Sequence, residues 1–90
     1  MAFYVYIIQS DADNSYYKGF SDNPLKRLSQ HNRGESSYTS QKAPWKLVYV
    51  EEFATKREAL IRERNLKKAP LDRIHALLKH PKNIVSKFIG

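Results

Sequence analysis

Tyrosines in two short β-rich runs, an arginine and a histidine four positions apart, and one glutamate inside an apolar stripe carry the chemistry that this 90-residue chain could perform. The runs are Phe3-Tyr4-Val5-Tyr6-Ile7-Ile8 and Tyr16-Tyr17-Lys18-Gly19-Phe20. A tyrosine on an apolar strand packs its ring and keeps a hydroxyl to reach a partner or a cleft. Arg27 and His31 stack on one face of a helix, which on position alone is a solvated polar face. Glu63 shares its stripe with Ala59, Leu60 and Leu66, and carboxylates are seldom fully buried unless paired or metal-bound. It is therefore either the i,i+4 partner of Lys67 or a functional acid. Gly19, inside a strand pattern, marks a close approach of backbone or ligand, a bulge or a strand end. His75 and His80 have no acidic or cysteine partner at metal-ligand spacing and read as structural or exposed.

The elements that must position these residues follow from local pattern. Asp11-Ala12-Asp13-Asn14-Ser15 between the two runs predicts an antiparallel hairpin. Both faces of the first strand are apolar, which predicts a central strand covered on each side. Asp22-Asn23-Pro24 opens a helix from about Pro24 to Asn32, with Leu25 and Leu28 toward the sheet, and Gly34 ends it. Glu35 to Pro44, rich in Ser and Thr and containing Lys42, reads as an exposed loop of a length that often carries function. A third strand runs from Trp45 to Phe53, with Trp45, Leu47 and Tyr49 expected on one face, Val48 and Val50 on the other, and Glu51 and Glu52 pointing to opposite faces. Thr55 with Glu58 makes a capping-box pattern for a helix to about Ala69. Pro70 starts another, Leu71 to about His80, whose apolar face predicts packing. The tail after Pro81 is basic with four apolar residues, and its placement is open.

Composition bounds the function. The chain fits a single domain, residues 1–90, with a core of about 3–68 and a C-terminal helix and basic tail over 70–90. Sixteen Lys and Arg against nine Asp and Glu give a net charge of +7, which favours a polyanionic partner, nucleic acid first. The lack of cysteine excludes disulfides, iron–sulfur clusters and thiolate zinc sites and is compatible with the cytoplasm. The N-terminal apolar run has no basic flank and is cut by Gln9-Ser10-Asp11, so it reads as a buried strand rather than a leader. No stretch approaches the roughly 20 apolar residues of a membrane span, and no membrane partner is expected.

In this order the elements resemble the GIY-YIG nuclease family over about Phe3 to Lys68. Tyr4-Val5-Tyr6 stands at the first tripeptide of that family and Tyr17-Lys18-Gly19 at the second. Leu25-Lys26-Arg27-Leu28 with His31 looks like its arginine helix, and Glu58 to Lys67 like its acidic helix. The overall look is of short, single-domain members related to the nuclease domain of the bacterial excision-repair incision subunit. The resemblance implies an α+β fold, a small three-stranded antiparallel sheet flanked by helices in the order β-β-α-β-α-α. It also implies hydrolysis of DNA phosphodiester bonds, in repair or recombination, with one divalent cation, Mg2+ or Mn2+, on Glu63. In that reading Tyr6 helps to deprotonate the attacking water, with His31 as alternative or assisting base. Tyr17 positions phosphate or water, Arg27 neutralises charge on phosphorus, and Gly19 lets the backbone approach the site. Lys18, Lys42 and Asn65 are the expected substrate contacts, with Asn83 as the other candidate for a family asparagine.

The residue types suit these roles. A carboxylate is the hard oxygen ligand that magnesium prefers, and water and phosphate oxygens can complete its shell. Arginine offers a permanent charge in a planar fork. Tyrosine, with an ordinary pKa near 10, is a poor base unless positive charge stabilises its phenolate. The chain departs from the family pattern at Tyr4, Val5 and Lys18, and Phe20 stands where the repair relatives carry a lysine. The other reading is a nucleic-acid-binding module on the same scaffold that holds phosphates without cutting. Phosphate contacts carry no sequence information, so a protein partner is the expected source of specificity.

Overall fold

The computed structural model describes residues 2–35 and 38–89. Strand β1, Phe3–Ser10, lies at the centre of a three-stranded antiparallel sheet of order β2-β1-β3, with β2 spanning Tyr16–Ser21 and β3 Trp45–Phe53. Its central place follows from its two apolar faces, and Val5, Tyr6, Ile7 and Ile8 are all buried. Helices α1 (Pro24–Asn32), α2 (Lys56–Lys67), α3 (Leu71–Leu78) and the short α4 (Ser86–Ile89) flank the sheet. The chain is an α+β fold of order β-β-α-β-α-α, closed by α4 in the tail.

The caps form where the sequence places them. Asn23 Oδ1 accepts from the Lys26 amide, Pro24 opens α1, and Gly34 takes a left-handed φ of 77° just beyond the helix. Thr55 accepts from the Glu58 amide at the start of α2. Two cores result. Val5, Ile7 and Tyr49 pack with Ala59, Leu66 and Ile74 of α2 and α3. On the other face Tyr6, Ile8, Trp45, Leu47 and Val50 pack with Leu28 of α1 and with Ile84, Val85 and Phe88 of the tail, so the tail docks. Leu25, expected against the sheet, is exposed.

One strand departs from simple alternation. Ile7 pairs with Tyr49 but Ile8 pairs with Leu47, so β3 bulges at Val48. The bulge moves Tyr49 to the α2 face and puts Val50 beside Trp45 and Leu47, correcting the expected grouping of Trp45, Leu47 and Tyr49. Asn83 closes the irregularity. Its Nδ2 donates to the Val48 and Leu78 carbonyls, each at 3.0 Å, and its Oδ1 accepts from the Val50 and Val85 amides at 3.1 and 3.0 Å. All of its amide capacity goes to backbone, which gives Asn83 a structural position. Glu51 and Glu52 do point apart. Glu51 accepts from the Tyr49 hydroxyl at 2.7 Å and from Arg62 Nε at 3.0 Å, tying β3 to α2, while Glu52 is exposed. Burial is the main force pushing the Tyr49 pKa up, to about 12.

Truncating Asn83 would strand several backbone groups at the bulge. Asn83→Ala is expected to lower unfolding stability by about 2–3 kcal/mol in urea titration. Asn65→Ala, on exposed helix surface, should cost about 0.5 kcal/mol or less.

Candidate active site

Tyr6 lies opposite Gly19 across the β1–β2 ladder. A Cβ built on Gly19 would sit 2.4 Å from the Tyr6 hydroxyl oxygen and 2.5 Å from its Cζ, so the missing side chain is the space that the phenol occupies. This amends the expected role of Gly19. The close approach there is made by Tyr6 itself.

From that position Tyr6 reaches α1. Its hydroxyl is 3.0 Å from His31 Nε2, and His31 Nδ1 is 2.7 Å from Thr39 Oγ1. His31 and Thr39 are fully buried and Tyr6 is 1% exposed. Asn32 holds the end of the helix in register, with its side chain accepting from the Trp45 amide and donating to the Trp45 carbonyl. The Trp45 indole donates to the Thr39 carbonyl at 2.9 Å. Thr39 is thereby pulled inside, so the segment from Glu35 to Pro44 is not wholly an exposed loop. No sequence signal singles out Thr39 among its Ser and Thr neighbours.

The electrostatics define the protonation of this pair. Burial raises the Tyr6 pKa above the ordinary phenol value, Arg27 lowers it by hydrogen bonding and by its charge, and Tyr17 and Glu63 add upward pushes. Burial also lowers the His31 pKa, and the Arg27 charge adds to that. Both rings are therefore neutral near neutral pH. With its proton on Nδ1 the His31 ring donates to Thr39 Oγ1 and accepts from the Tyr6 hydroxyl at Nε2; with its proton on Nε2 both directions reverse.

Tyr17, Arg27 and Glu63 complete the cluster. The Tyr17 ring lies 4.9 Å from the His31 ring, centroid to centroid. Arg27 is half-buried and donates from Nη1 to Gln30 Oε1 at 2.6 Å. Glu63 comes from α2, which packs on β1 and β2, and pairs with Lys67 Nζ at 3.6 Å. The i,i+4 pair and nearness to Tyr6 thus coexist. Of the remaining candidates, Lys18 borders a pocket with Tyr17 and Lys67. Lys42 pairs with Asp13 at 3.5 Å. Asn65 is not brought to this cluster, because a position two residues beyond Glu63 is turned about 200° around the helix. It lines a separate pocket with Arg62, Lys68 and Arg73.

Among the described residues no group of three or more His, Cys, Asp or Glu is placed to cage a metal. The donor set around Glu63 is one carboxylate, which fits a cation that keeps most of its water, as Mg2+ and Mn2+ do, and does not fit a caged zinc or calcium. Among the described residues no helix is long and apolar enough to cross a membrane.

Comparison with known proteins shows the family and the fold. The family model of the GIY-YIG catalytic domain matches residues 2–73. The chain is similar to a UPF0213 protein of Clostridium perfringens, 47% identical over 66 residues that cover 72% of this chain and 70% of that protein. It is 43% identical over 65 residues to a UPF0213 protein of Staphylococcus haemolyticus, covering 71% and 78% of the two chains. The solution NMR structure of a UPF0213 protein from Bacillus halodurans superposes with a TM-score of 0.60 at 27% identity, covering 98% of this chain and 94% of that one.

Two measurements probe the buried pair. Adding a methyl at Gly19 must displace the phenol. Gly19→Ala is expected to cost about 1–3 kcal/mol and to shift the His31 ring resonances in NMR spectra. The second is pH dependence. The folded chain holds His31 neutral, whereas the unfolded chain protonates it below about pH 6.5, so its contribution is complete above that value and is lost as pH falls. Between about pH 7.5 and pH 5.5 the melting midpoint should drop, with His31 adding at most about 1.4 kcal/mol per pH unit. In His31→Gln the slope should be shallower.

Proposed function

We propose that this chain, which belongs to the GIY-YIG family, is an endonuclease that hydrolyses DNA phosphodiester bonds with one Mg2+ or Mn2+ held by Glu63. Family membership makes nuclease chemistry and nucleic-acid binding the starting point. The observation that carries the reading is the buried Tyr6–His31 hydrogen bond within electrostatic reach of Arg27, Tyr17 and Glu63.

In this mechanism Tyr6 takes a proton from the attacking water while passing its own to His31 Nε2. A free phenolate is then never required, which answers the raised pKa of Tyr6. His31 is fully buried and both ring nitrogens are engaged, so it assists through Tyr6 and does not meet the water directly. Tyr6 is covered too, and a phosphate that draws Arg27 away from Gln30 would open a path to its hydroxyl. Arg27 then neutralises the charge that gathers on the phosphoryl oxygens, and Tyr17 orients phosphate or water. The oxygen of water bonds to phosphorus, the bond to the departing sugar oxygen breaks, and that oxygen is protonated from solvent. A cation on Glu63 would supply charge neutralisation at the phosphate and the departing oxygen. The net charge of +7 attracts the substrate without choosing a sequence. Repair or recombination in the cytoplasm, with a protein partner to select sites, is the setting in which we place it.

The Glu63–Lys67 pair and the covered Tyr6 hydroxyl favour a second reading, a module that binds nucleic acid without cutting it. A panel of duplex, branched, flapped and single-stranded DNAs, incubated with Mg2+ or Mn2+, separates the two. Cleavage is expected that chelator stops, that Glu63→Ala abolishes, and that Tyr6→Phe slows by about 10²–10⁴-fold. Binding without product, unchanged by chelator and by Glu63→Ala, would establish the second reading instead.

A further inference from the structure

Next to the Tyr6 cluster is a pocket of about 280 Å³ bordered by Tyr16, Tyr17, Lys18, Tyr38 and Lys67. Two of its residues belong to the site or touch it: Tyr17 packs on His31, and Lys67 pairs with Glu63. The pocket therefore begins where the proposed scissile phosphate would lie.

Tyr38 is the unexplained residue of this pocket. It is 66% exposed, more than any other large hydrophobic side chain among the described residues. Its ring centroid is 5.7 Å from that of Tyr17, tilted by 41°, and Lys42 Nζ stands 5.9 Å from its centre. An exposed ring gains nothing from burial, but it offers a flat face to another π system. Around that face lie Lys18, Lys42 and Lys67, of which Lys42 pairs with Asp13 at 3.5 Å and Lys67 with Glu63 at 3.6 Å, long pairs at partly exposed side chains that a phosphate can displace. Flat aromatic surface ringed by positive charge is how a protein holds an unstacked base and the phosphates beside it. A paired base does not fit this description, because its faces are already covered by its neighbours in the duplex. The volume also lies at the lower end for ligand sites, suited to a single nucleotide rather than a base pair.

We propose that the pocket between Tyr38 and Tyr17 is a subsite for one unpaired nucleotide of a DNA strand, adjacent to the phosphate at the Tyr6 cluster. The base lies on Tyr38, and the flanking phosphates meet Lys18 and Lys67. The proposal rests on the nuclease reading only for its position beside the scissile bond. Lys67 connects the two, since a cation that took its place at Glu63 would release it for a phosphate. The consequence is a preference for frayed, flapped or single-stranded DNA that stems from stacking and not from base sequence.

Binding of the full chain to a short single strand carrying 2-aminopurine, and to the same strand in a perfect duplex, tests this without metal and therefore without cleavage. Tyr38→Ala is expected to weaken single-strand binding by about 10–100-fold and to leave duplex binding within about twofold. Tyr38→Phe and Tyr38→Trp should keep single-strand affinity, and 2-aminopurine emission should be quenched in wild type but not in Tyr38→Ala. An exposed side chain permits these changes without unfolding, which thermal melts of each variant check. Equal weakening of single strand and duplex, or no change in either, would overturn the subsite. Single-strand binding that depends on Tyr38 in a protein that never cuts would support the subsite and defeat the nuclease reading. Cleavage indifferent to Tyr38 would do the opposite.

Discussion

The hydrogen bond between Tyr6 and His31 is the contact on which the rest of this structure depends. It joins the central strand to α1 in a place closed to water, where neither polar group could be left alone without a penalty of about 1–3 kcal/mol. Several otherwise unrelated features exist to make it possible. Gly19 vacates the volume that the phenol fills, Thr39 folds inward to satisfy the far nitrogen of the ring, and Asn32 pins the helix end to β3. A contact with that much support is rigid. The same rigidity is what a proton path needs, because transfer between two rings depends on their separation being held before substrate arrives.

Charge is arranged around this pair with a similar division. Burial pushes the phenol pKa up and Arg27 pulls it down, with smaller upward pushes from Tyr17 and Glu63, so the hydroxyl feels both a cation and an anion. Glu63 owes its position to its neighbour in sequence. Arg62 reaches Glu51, which also accepts from the buried Tyr49 hydroxyl, and this fixes how α2 is turned against β3. Glu63, about 100° further around the helix, is thereby presented toward the sheet edge that bears Tyr17. The Val48 bulge contributes to the same end. Without it Tyr49 and Glu51, two apart and so on one face of the strand, would both turn to the α1 face, and Glu51 would lose its bond to Arg62 of α2.

These dependencies show which parts of the molecule were legible in the chain. Strand β1 declared itself central through apolar residues on both faces, and α1 and α2 were marked by Asn23-Pro24 and by Thr55 with Glu58, because caps and alternation are local properties. The family pattern placed Tyr6, Tyr17, Arg27, His31 and Glu63 in order. The register of β3 was not legible, since a bulge is decided by a partner 33 residues or more away, the side chain of Asn83. Thr39 was hidden for the same reason. Its inward place is held by His31 and by the indole of Trp45, partners on other elements. Gly19 was visible as a close approach, but only the pairing of β2 with β1 shows that the approaching group is Tyr6. Asn65 stands close to Glu63 along the chain but not around the helix, a difference that sequence adjacency does not display.

The energetics of the site follow from where each contact lies. The Tyr6–His31–Thr39 chain is buried and would be expensive to break, so it persists whatever binds. The Arg27–Gln30 and Glu63–Lys67 contacts are of a different kind. Lys67 is more than half exposed and its ion pair is long at 3.6 Å, and pairs of this type contribute about 0–1 kcal/mol. A phosphate or a cation, with charge-assisted bonds roughly twice as strong as neutral ones, can replace either partner without disturbing the interior. The site is thus a fixed buried half behind an exchangeable rim. In the proposed mechanism, binding at the rim would connect the covered hydroxyl of Tyr6 to a reacting water, and the nearby aromatic and basic surface at Tyr38, Lys18 and Lys67 would be the place where substrate choice is exercised.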